Sequence, residues 1–231
     1  MVVEADVVRF VCISDNHNRR PMKDLPPGDV LLHAGDFTSK GTLNEAKLFN
    51  EWLGTLHFQY KVVIPGNHDL FCDARFTKRV GSHDPHEVLS NAIYLQDSSV
   101  TIMGIKIYGA PWQPVHFRNA FTLERGKPLQ EKWSLIPEDT TILITHGPPY
   151  GHGDKVRSGD HVGCFDLILT VQNKVKPKYH VFGHIHEGYG ATTDGTTTFI
   201  NAAVLDRHHV WSNSPIVFDL PLPDGIKKEW A

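Results

Sequence analysis

The 231-residue chain is 40% hydrophobic and carries a formal net charge of −3, enough apolar material for one α/β domain and no basic field to draw in extended nucleic acid. No apolar run approaches the ~20 residues of a membrane span, and residues 1–6 show no signal-peptide pattern. Cys12, Cys72 and Cys164 are too far apart for a disulfide framework or a thiolate zinc site, so the expectation is a soluble, cytoplasmic, single-domain protein over residues 1–231.

Val7 to Ser14 is an apolar, β-branched run that stops at Asp15, the pattern of a buried strand. Asp29 to Ala34 is a second strand, stopped by Gly35-Asp36. Thr42 with Glu45 forms a capping-box pattern and opens a helix to about His57, with Ala46, Phe49, Trp52, Leu53 and Leu56 on one face. Lys61 to Ile64 is a third strand, stopped by Pro65-Gly66. This strand–helix–strand rhythm predicts a βαβ unit in a mainly parallel sheet. Residues 71–92 give no periodic pattern.

Ser98 to Tyr108 reads as a hairpin around Met103-Gly104, and residues 110–135 as a long surface loop with one short helix. Thr141 to Thr145 is a buried strand stopped by His146-Gly147. Cys164 to Val175 has helical spacing. Tyr179 to Phe182 is a strand ended by Gly183-His184. Thr192 to Ile200 reads as a hairpin at Asp194-Gly195, and Pro215 to Leu220 is the last strand.

The chemistry collects where the strands stop. Asp15-Asn16-His17, Gly35-Asp36, Gly66-Asn67-His68-Asp69, Thr145-His146 and Gly183-His184-Ile185-His186 each follow a predicted strand. In open α/β sheets, ligands bind beyond the carboxyl ends of the strands. Any one of these residues alone reads as a turn former, a helix cap or a surface histidine. Together they form a convergent set of carboxylate, imidazole and amide ligands, suited to divalent first-row metals. They exceed what one tetrahedral ion takes, and they suit two ions sharing a carboxylate, the arrangement that supports in-line displacement at phosphorus. Gly35, Gly66 and Gly183 permit tight turns at these points.

Taken in order, these motifs resemble those of the calcineurin-like metallophosphoesterases: Asp-x-His, Gly-Asp, Gly-Asn-His-Asp, a lone His and Gly-His-x-His. Further segments are similar to the metallophosphoesterase-domain-containing subfamily known from animal brain: Leu31 to Thr38, Ile107 to Trp112, Thr145 to Pro149, and Val181 through Gly190. Asn16 stands where threonine is usual, and the stretch around residues 73–90 is shorter than in animal members.

The resemblance implies a four-layer α/β/β/α sandwich of two mixed sheets flanked by helices. It implies that Asp15, His17, Asp36 and His186 hold one metal, and that Asp36, Asn67, His146 and His184 hold a second, with Asp36 as the bridge. His68 would face substrate as the general acid, and Asp69 would orient His68 or support the turn. The metals would be Mn²⁺ first, with Fe²⁺ or Zn²⁺ as alternatives.

A hydroxide held between the ions would attack phosphorus while His68 protonates the departing oxygen. Asn67, His152 and the run Arg207-His208-His209 are candidate substrate contacts, with Arg19-Arg20 as a further phosphate or base contact. The remaining histidines, His33, His116 and His180 among them, are assigned to packing or surface. The subfamily resemblance points to a phosphodiesterase acting on small cyclic nucleotides or related diesters. A phosphomonoesterase or protein phosphatase is the nearest rival, and a non-catalytic nucleotide- or metal-binding scaffold is a second class.

Overall fold

The first strand shows how the chain builds layers on both of its sides. In β1 (Val7–Ile13), Val8, Phe10 and Cys12 enter one core cluster while Val11 and Ile13 enter another. Successive side chains on a strand point to opposite faces, so both faces of β1 are covered. The computed structural model describes residues 7–21, 24–117 and 119–228, and the N-terminal hexapeptide read above lies outside them.

β1 pairs in parallel with β2 (Val30–His33), which pairs in parallel with β3 (Tyr60–Val63). The helix α1 (Leu43–Gly54) lies between β2 and β3 in the chain. Its N-terminus carries the predicted capping box: Glu45 N donates to Thr42 Oγ1, and the Glu45 carboxylate accepts from Thr42 N. Its buried face (Ala46, Phe49, Trp52 and Leu53) covers the outer side of this sheet. Beyond β3 come the short helices α2 (Thr77–Val80) and α3 (Pro85–Val88), in the stretch without sequence periodicity, and then β4 (Ile93–Tyr94).

The predicted hairpin is present as β5 (Ser98–Ile102) and β6 (Ile105–Ala110). The short helix expected within residues 110–135 is present as α4 (Lys127–Ser134), but its Leu129 and Trp133 are buried, and the stretch before it departs from a plain loop by holding the paired short strands β7 (Gln113–Pro114) and β8 (Thr122–Leu123). After β9 (Ile142–Thr145), the helix α5 (Phe165–Thr170) runs into a π-turn over Val171–Val175. β10 (Tyr179–Phe182), β11 (Gly190–Thr193), β12 (Thr198–Asn201) and β13 (Ile216–Pro221) complete the chain.

Apart from the β7–β8 pair, the strands form two mixed sheets, in the orders β13-β1-β2-β3-β4 and β11-β12-β10-β9-β6-β5. The pairs β13–β1, β5–β6 and β11–β12 are antiparallel, and the inner pairs are parallel. The main core lies between the sheets, where Phe10, Leu32 and Val62 meet Ile107, Ile144 and Val181. On the outer face of the second sheet, Leu143 and Phe182 pack against Leu129, Trp133 and Leu167 of α4 and α5. The layers are therefore helix, sheet, sheet, helix. Among the described residues no helix is long and apolar enough to cross a membrane.

The two sheets also meet at one edge of the core. Beyond Ile13, Ser14 forms a parallel bridge with Ala203, which follows β12. The carboxyl ends of β1, β2, β9 and β10 thereby open onto the same cleft.

Candidate metal centre

Each strand ends in a turn that forces a polar side chain inward. Asp15, His17, Asp36 and His184 have φ of 57°, 43°, 56° and 67°. Non-glycine residues adopt this left-handed region sparingly, and such residues cluster at functional sites. Two glycines make room. A Cβ on Gly183 would overlap the Asp15 carboxylate, and one on Gly66 would overlap Asp36.

The structure brings five of the expected ligands together in overlapping groups, one of which also takes in His68, expected to face substrate: Asp15 with His17 and His186, His17 with Asp36 and His68, and Asp15 with Asp36 and His146. In each, the potential ligand atoms lie within 4.8 Å of one another. Asp36 spans the cluster. Its Oδ1 is 3.5 Å from His146 Nε2, and its Oδ2 is 3.8 Å from His17 Nε2. Asn67 Oδ1 is 2.9 Å from His146 Nε2, and the rings of His146 and His184 are 5.1 Å apart.

The imidazoles share one orienting device. The Nδ1–H of His17 donates to Thr38 O, that of His146 to Ala34 O and that of His186 to Asp206 O, at 3.1, 2.8 and 3.1 Å. A carbonyl can only accept, so each bond fixes the proton on Nδ1 and turns the Nε2 lone pair into the cluster. This is how metal-ligating histidines are commonly held. His68 follows the same pattern, with Nδ1–H donating to Ser39 O at 2.9 Å.

Two further observations bear on whether cations fit. Asp15 Oδ1 is buried and has no hydrogen-bond partner; His186 Nε2 stands 3.5 Å away without forming a bond. A neutral His146 would also set its Nε2 lone pair against the oxygens of Asn67 and Asp36. A proton or a cation relieves both contacts.

Without cations, protons do this work. Burial by itself would raise the Asp15 and Asp36 carboxyls, but neighbouring histidines hold both below the ordinary range. Burial opposes charge on His146 and His186 as well, yet the same carboxylates lift each to about 9. The buried His184 goes the other way, to about 3, because burial and the nearby His146 outweigh the carboxylates. The donor set is all nitrogen and oxygen, while Cys12, Cys72 and Cys164 are buried in the cores. The residues present therefore fit a pair of divalent cations.

Asp69 has a different place from its neighbour. Its carboxylate accepts from Asp36 N, Gly66 N, Thr38 N and Thr38 Oγ1 at 2.9, 2.7, 2.9 and 2.6 Å. Burial and the Asp36 charge push it up to about 7, against donors that favour its ionised form. Of the two expectations for Asp69, support of the turns matches this geometry. It makes no hydrogen bond to the His68 ring among the described residues, and the backbone carbonyl of Ser39 orients that ring instead.

A cleft of about 330 Å³ overlies the cluster, walled by His68, His116, Asn119, Arg207 and His209. Arg207 is where the sequence reading put a substrate contact, but His208 and His152 are not among the cleft's residues. The Nε2 of His208 accepts from Arg207 Nε at 3.1 Å. His152 stacks on Phe199 at 3.8 Å and bonds Thr192 Oγ1 at 2.9 Å.

His209 takes the inward position instead. Its ring lies 5.2 Å from His17 and 5.4 Å from His186. The local cause is Asp206, whose Oδ1 accepts from His208 N and Val210 N and folds a tight turn with His209 at φ 54°. His116, assigned to packing or surface from sequence, also faces the cleft, with its ring 6.5 Å from that of His184.

A second cavity of about 360 Å³ adjoins the first across His116, His184 and Glu187. Its other walls include Gln113, Pro114, Pro148 and Val162.

Comparison with known proteins agrees with this geometry. The family model for calcineurin-like phosphoesterases matches residues 8–188, which contain every candidate ligand from Asp15 to His186. The chain is 50% identical, over 93% of its length and 72% of the other, to metallophosphoesterase domain-containing protein 1 of Homo sapiens. It is 26% identical, over 87% of its length and 70% of the other, to a probable glycerophosphodiester phosphodiesterase of Arcobacter nitrofigilis. The crystal structure of phosphopantetheinyl hydrolase from Mycobacterium tuberculosis shares the fold, with a TM-score of 0.55 at 15% identity over 87% of this chain and 90% of that one.

Proposed function

Because this chain belongs to the calcineurin-like phosphoesterase family, we propose that it hydrolyses small phosphodiesters, cyclic nucleotides or related molecules, with two divalent cations and His68 as proton donor. Asp15, His17, Asp36 and His186 would hold one cation, and Asp36, Asn67, His146 and His184 the other. Mn²⁺ is the first candidate, with Fe²⁺ and Zn²⁺ as alternatives, since all accept nitrogen and oxygen ligands. Such a pair supplies Lewis acidity, neutralising phosphoryl charge and making water acidic enough to attack at neutral pH.

The chain's own residues supply the rest. Asp36 reaches both halves of the cluster, one oxygen toward His146 and the other toward His17. Its Oδ1 accepts from the His68 backbone N–H at 2.7 Å, which ties the proton donor to the carboxylate. The His68 side chain is 40% exposed at the mouth, with Nε2 4.0 Å from Asp36 Oδ2. Its Nδ1 proton is held by Ser39 O, which turns Nε2 toward the cleft; as an imidazolium, His68 would give its Nε2 proton to the departing alkoxide. Arg207 brings positive charge to the same rim, where a phosphoryl group would lie, and His209 adds an imidazole that burial and its cationic neighbours hold toward the neutral form.

One observation carries the preference for diesters. The cleft over the cluster continues, across His116 and His184, into the second cavity. A phosphate bearing organic groups on two oxygens finds room for each, whereas a monoester would leave the second cavity unused. The name of the Arcobacter nitrofigilis relative is in keeping with that reading.

The test is turnover of bis-nitrophenyl phosphate, nitrophenyl phosphate and a panel of cyclic nucleotides by protein loaded with Mn²⁺, Fe²⁺ or Zn²⁺. Higher kcat/KM on diesters is expected. A preference for the monoester overturns the diester assignment, and no turnover with any metal overturns catalysis and favours a binding scaffold.

A further inference from the structure

Phe117 is 75% exposed, the barest of the large hydrophobic side chains among the described residues. Its backbone lies in the left-handed region, at φ 61°, an outlier for a bulky residue. Exposure forgoes the burial that stabilises an apolar side chain, and the backbone conformation adds strain. Residues held in this way cluster at binding and catalytic sites.

The position of Phe117 supplies a reason for both costs. It forms part of the wall of the cleft over the metal cluster, beside His116 and Asn119. It also borders a groove of about 480 Å³ that it shares with Phe76, Val115 and Leu123. Phe117 and Asn119 are common to both spaces, so the ring stands where the cleft passes into the groove.

The loop that carries it is anchored to the cluster. Ala120 N donates to the backbone oxygen of Asn67, an expected metal ligand, at 3.1 Å. Val115 N donates to Leu123 O at 3.0 Å, and Phe121 N to Asp73 Oδ2 at 2.9 Å. The Phe117 ring meets that of His116 at 4.4 Å, and the His116 ring lies 6.5 Å from that of His184.

The surroundings set the chemistry of an occupant. Arg75 is paired with Asp73 at 2.6 Å and Glu124 adds a further carboxylate, so the groove offers no net positive charge to a second phosphate. It offers apolar surface instead, from Phe76, Leu123 and the 48%-exposed Val115. A bare aromatic ring beside such surface is a stacking platform, which accepts the face of another ring whatever groups its edge carries.

We propose that Phe117 is a specificity-determining residue that stacks on a flat aromatic ring of the substrate, an aryl ester group or the base of a nucleotide. The proposal rests on the phosphodiesterase reading and adds the organic group that the mouth of the site selects.

The experiment compares the wild type with Phe117→Ala, Phe117→Leu and Phe117→Trp, all loaded with Mn²⁺. Titration calorimetry measures binding of phenyl phosphate, adenosine monophosphate and glycerol phosphate. The three carry the same phosphate monoester, so a difference among them reports the organic group. Phe117→Ala is expected to weaken phenyl phosphate, adenosine monophosphate or both by about tenfold, the scale of one stacked ring. Glycerol phosphate should stay within about threefold, and Phe117→Trp, which keeps a flat ring, should restore the affinity that Phe117→Ala loses. Weakening of phenyl phosphate alone assigns the stacked ring to an aryl group, and weakening of adenosine monophosphate alone assigns it to a base.

Unchanged binding in Phe117→Ala overturns the proposal, as does equal weakening of all three ligands. Wild-type affinity in Phe117→Leu overturns stacking in favour of simple apolar contact, and a Phe117→Trp variant no better than Phe117→Ala also overturns it. Binding needs no turnover. An inert wild type whose ring-bearing ligands depend on Phe117 overturns the catalytic reading and leaves this one standing.

Discussion

Gly183 sits so close to Asp15 that the carboxylate occupies the space a side chain at position 183 would need. The two are also coupled through the next residue, because His184 N donates to Asp15 Oδ2 at 2.9 Å. Gly183→Ala must therefore displace Asp15, the backbone before His184, or both. The expected outcome is loss of at least one bound metal and of most activity, with a stability cost of ~1–3 kcal/mol, typical of overpacking a filled site. Elemental analysis and urea unfolding of the purified variant check this. Retention of two metals at wild-type activity would sink the claim that this glycine makes room for a ligand.

Asp36 is placed to touch both proposed metal positions. Its carboxylate stands between His17 on one side and His146 on the other. Asp36→Ala should lower occupancy at both metal positions, whereas Asn67→Ala should weaken mainly the one beside His146. Metal content measured across a chelator titration distinguishes the two. A variant lacking Asp36 that keeps two tightly held metals overturns the bridging role.

The strand ends were legible because each apolar run breaks at a polar residue, and parallel strands deliver those breaks to one edge. The division into two sheets was not. Periodicity shows that a strand is buried but not which strand lies beside it, and only the family resemblance supplied the four layers. The substrate face was read less well for local reasons. In Arg207-His208-His209 the Asp206 turn decides which imidazole faces inward, and that depends on side-chain-to-backbone bonds at 2.8 and 3.0 Å rather than on residue type. His68 and Asp69 are adjacent in sequence, yet one turns toward the cleft and the other into the turns beneath it. His116 lies on the excursion between β7 and β8, in a stretch that reads as a loop.

His180 gives a pH prediction away from the metal residues. It is fully buried, and its Nε2–H donates to Thr145 Oγ1 at 2.8 Å while Nδ1 has no partner. Burial, with a smaller contribution from His152, lowers its pKa to about 3. Unfolded, it would titrate near ~6.5. Between those values the unfolded chain binds the extra proton, so stability falls as the pH drops below about 6.5, by up to ~1.4 kcal/mol per unit. His180→Gln should flatten that dependence. Urea unfolding of metal-free wild type and variant from pH 8 to 5 measures it, and parallel profiles would show that His180 is not the group responsible.

His68 makes the sharpest prediction because its proposed role depends on the leaving group. Nitrophenolate departs readily without a proton, whereas a ribose alkoxide, far more basic, does not. A positioned acid contributes roughly 10²–10⁴-fold where the proton is needed. His68→Ala should therefore lose activity on a cyclic nucleotide by that order and much less on bis-nitrophenyl phosphate. Metal content has to be measured first, because His68 lies within 4.8 Å of the ligand atoms of His17 and Asp36 and its loss could disturb an ion. Its backbone N–H to Asp36 Oδ1 survives the substitution, so the carboxylate keeps that partner. With both metals retained, equal loss on the two substrates would falsify the acid role and leave His68 as a phosphate contact. Loss of a metal would instead assign its Nε2 to coordination.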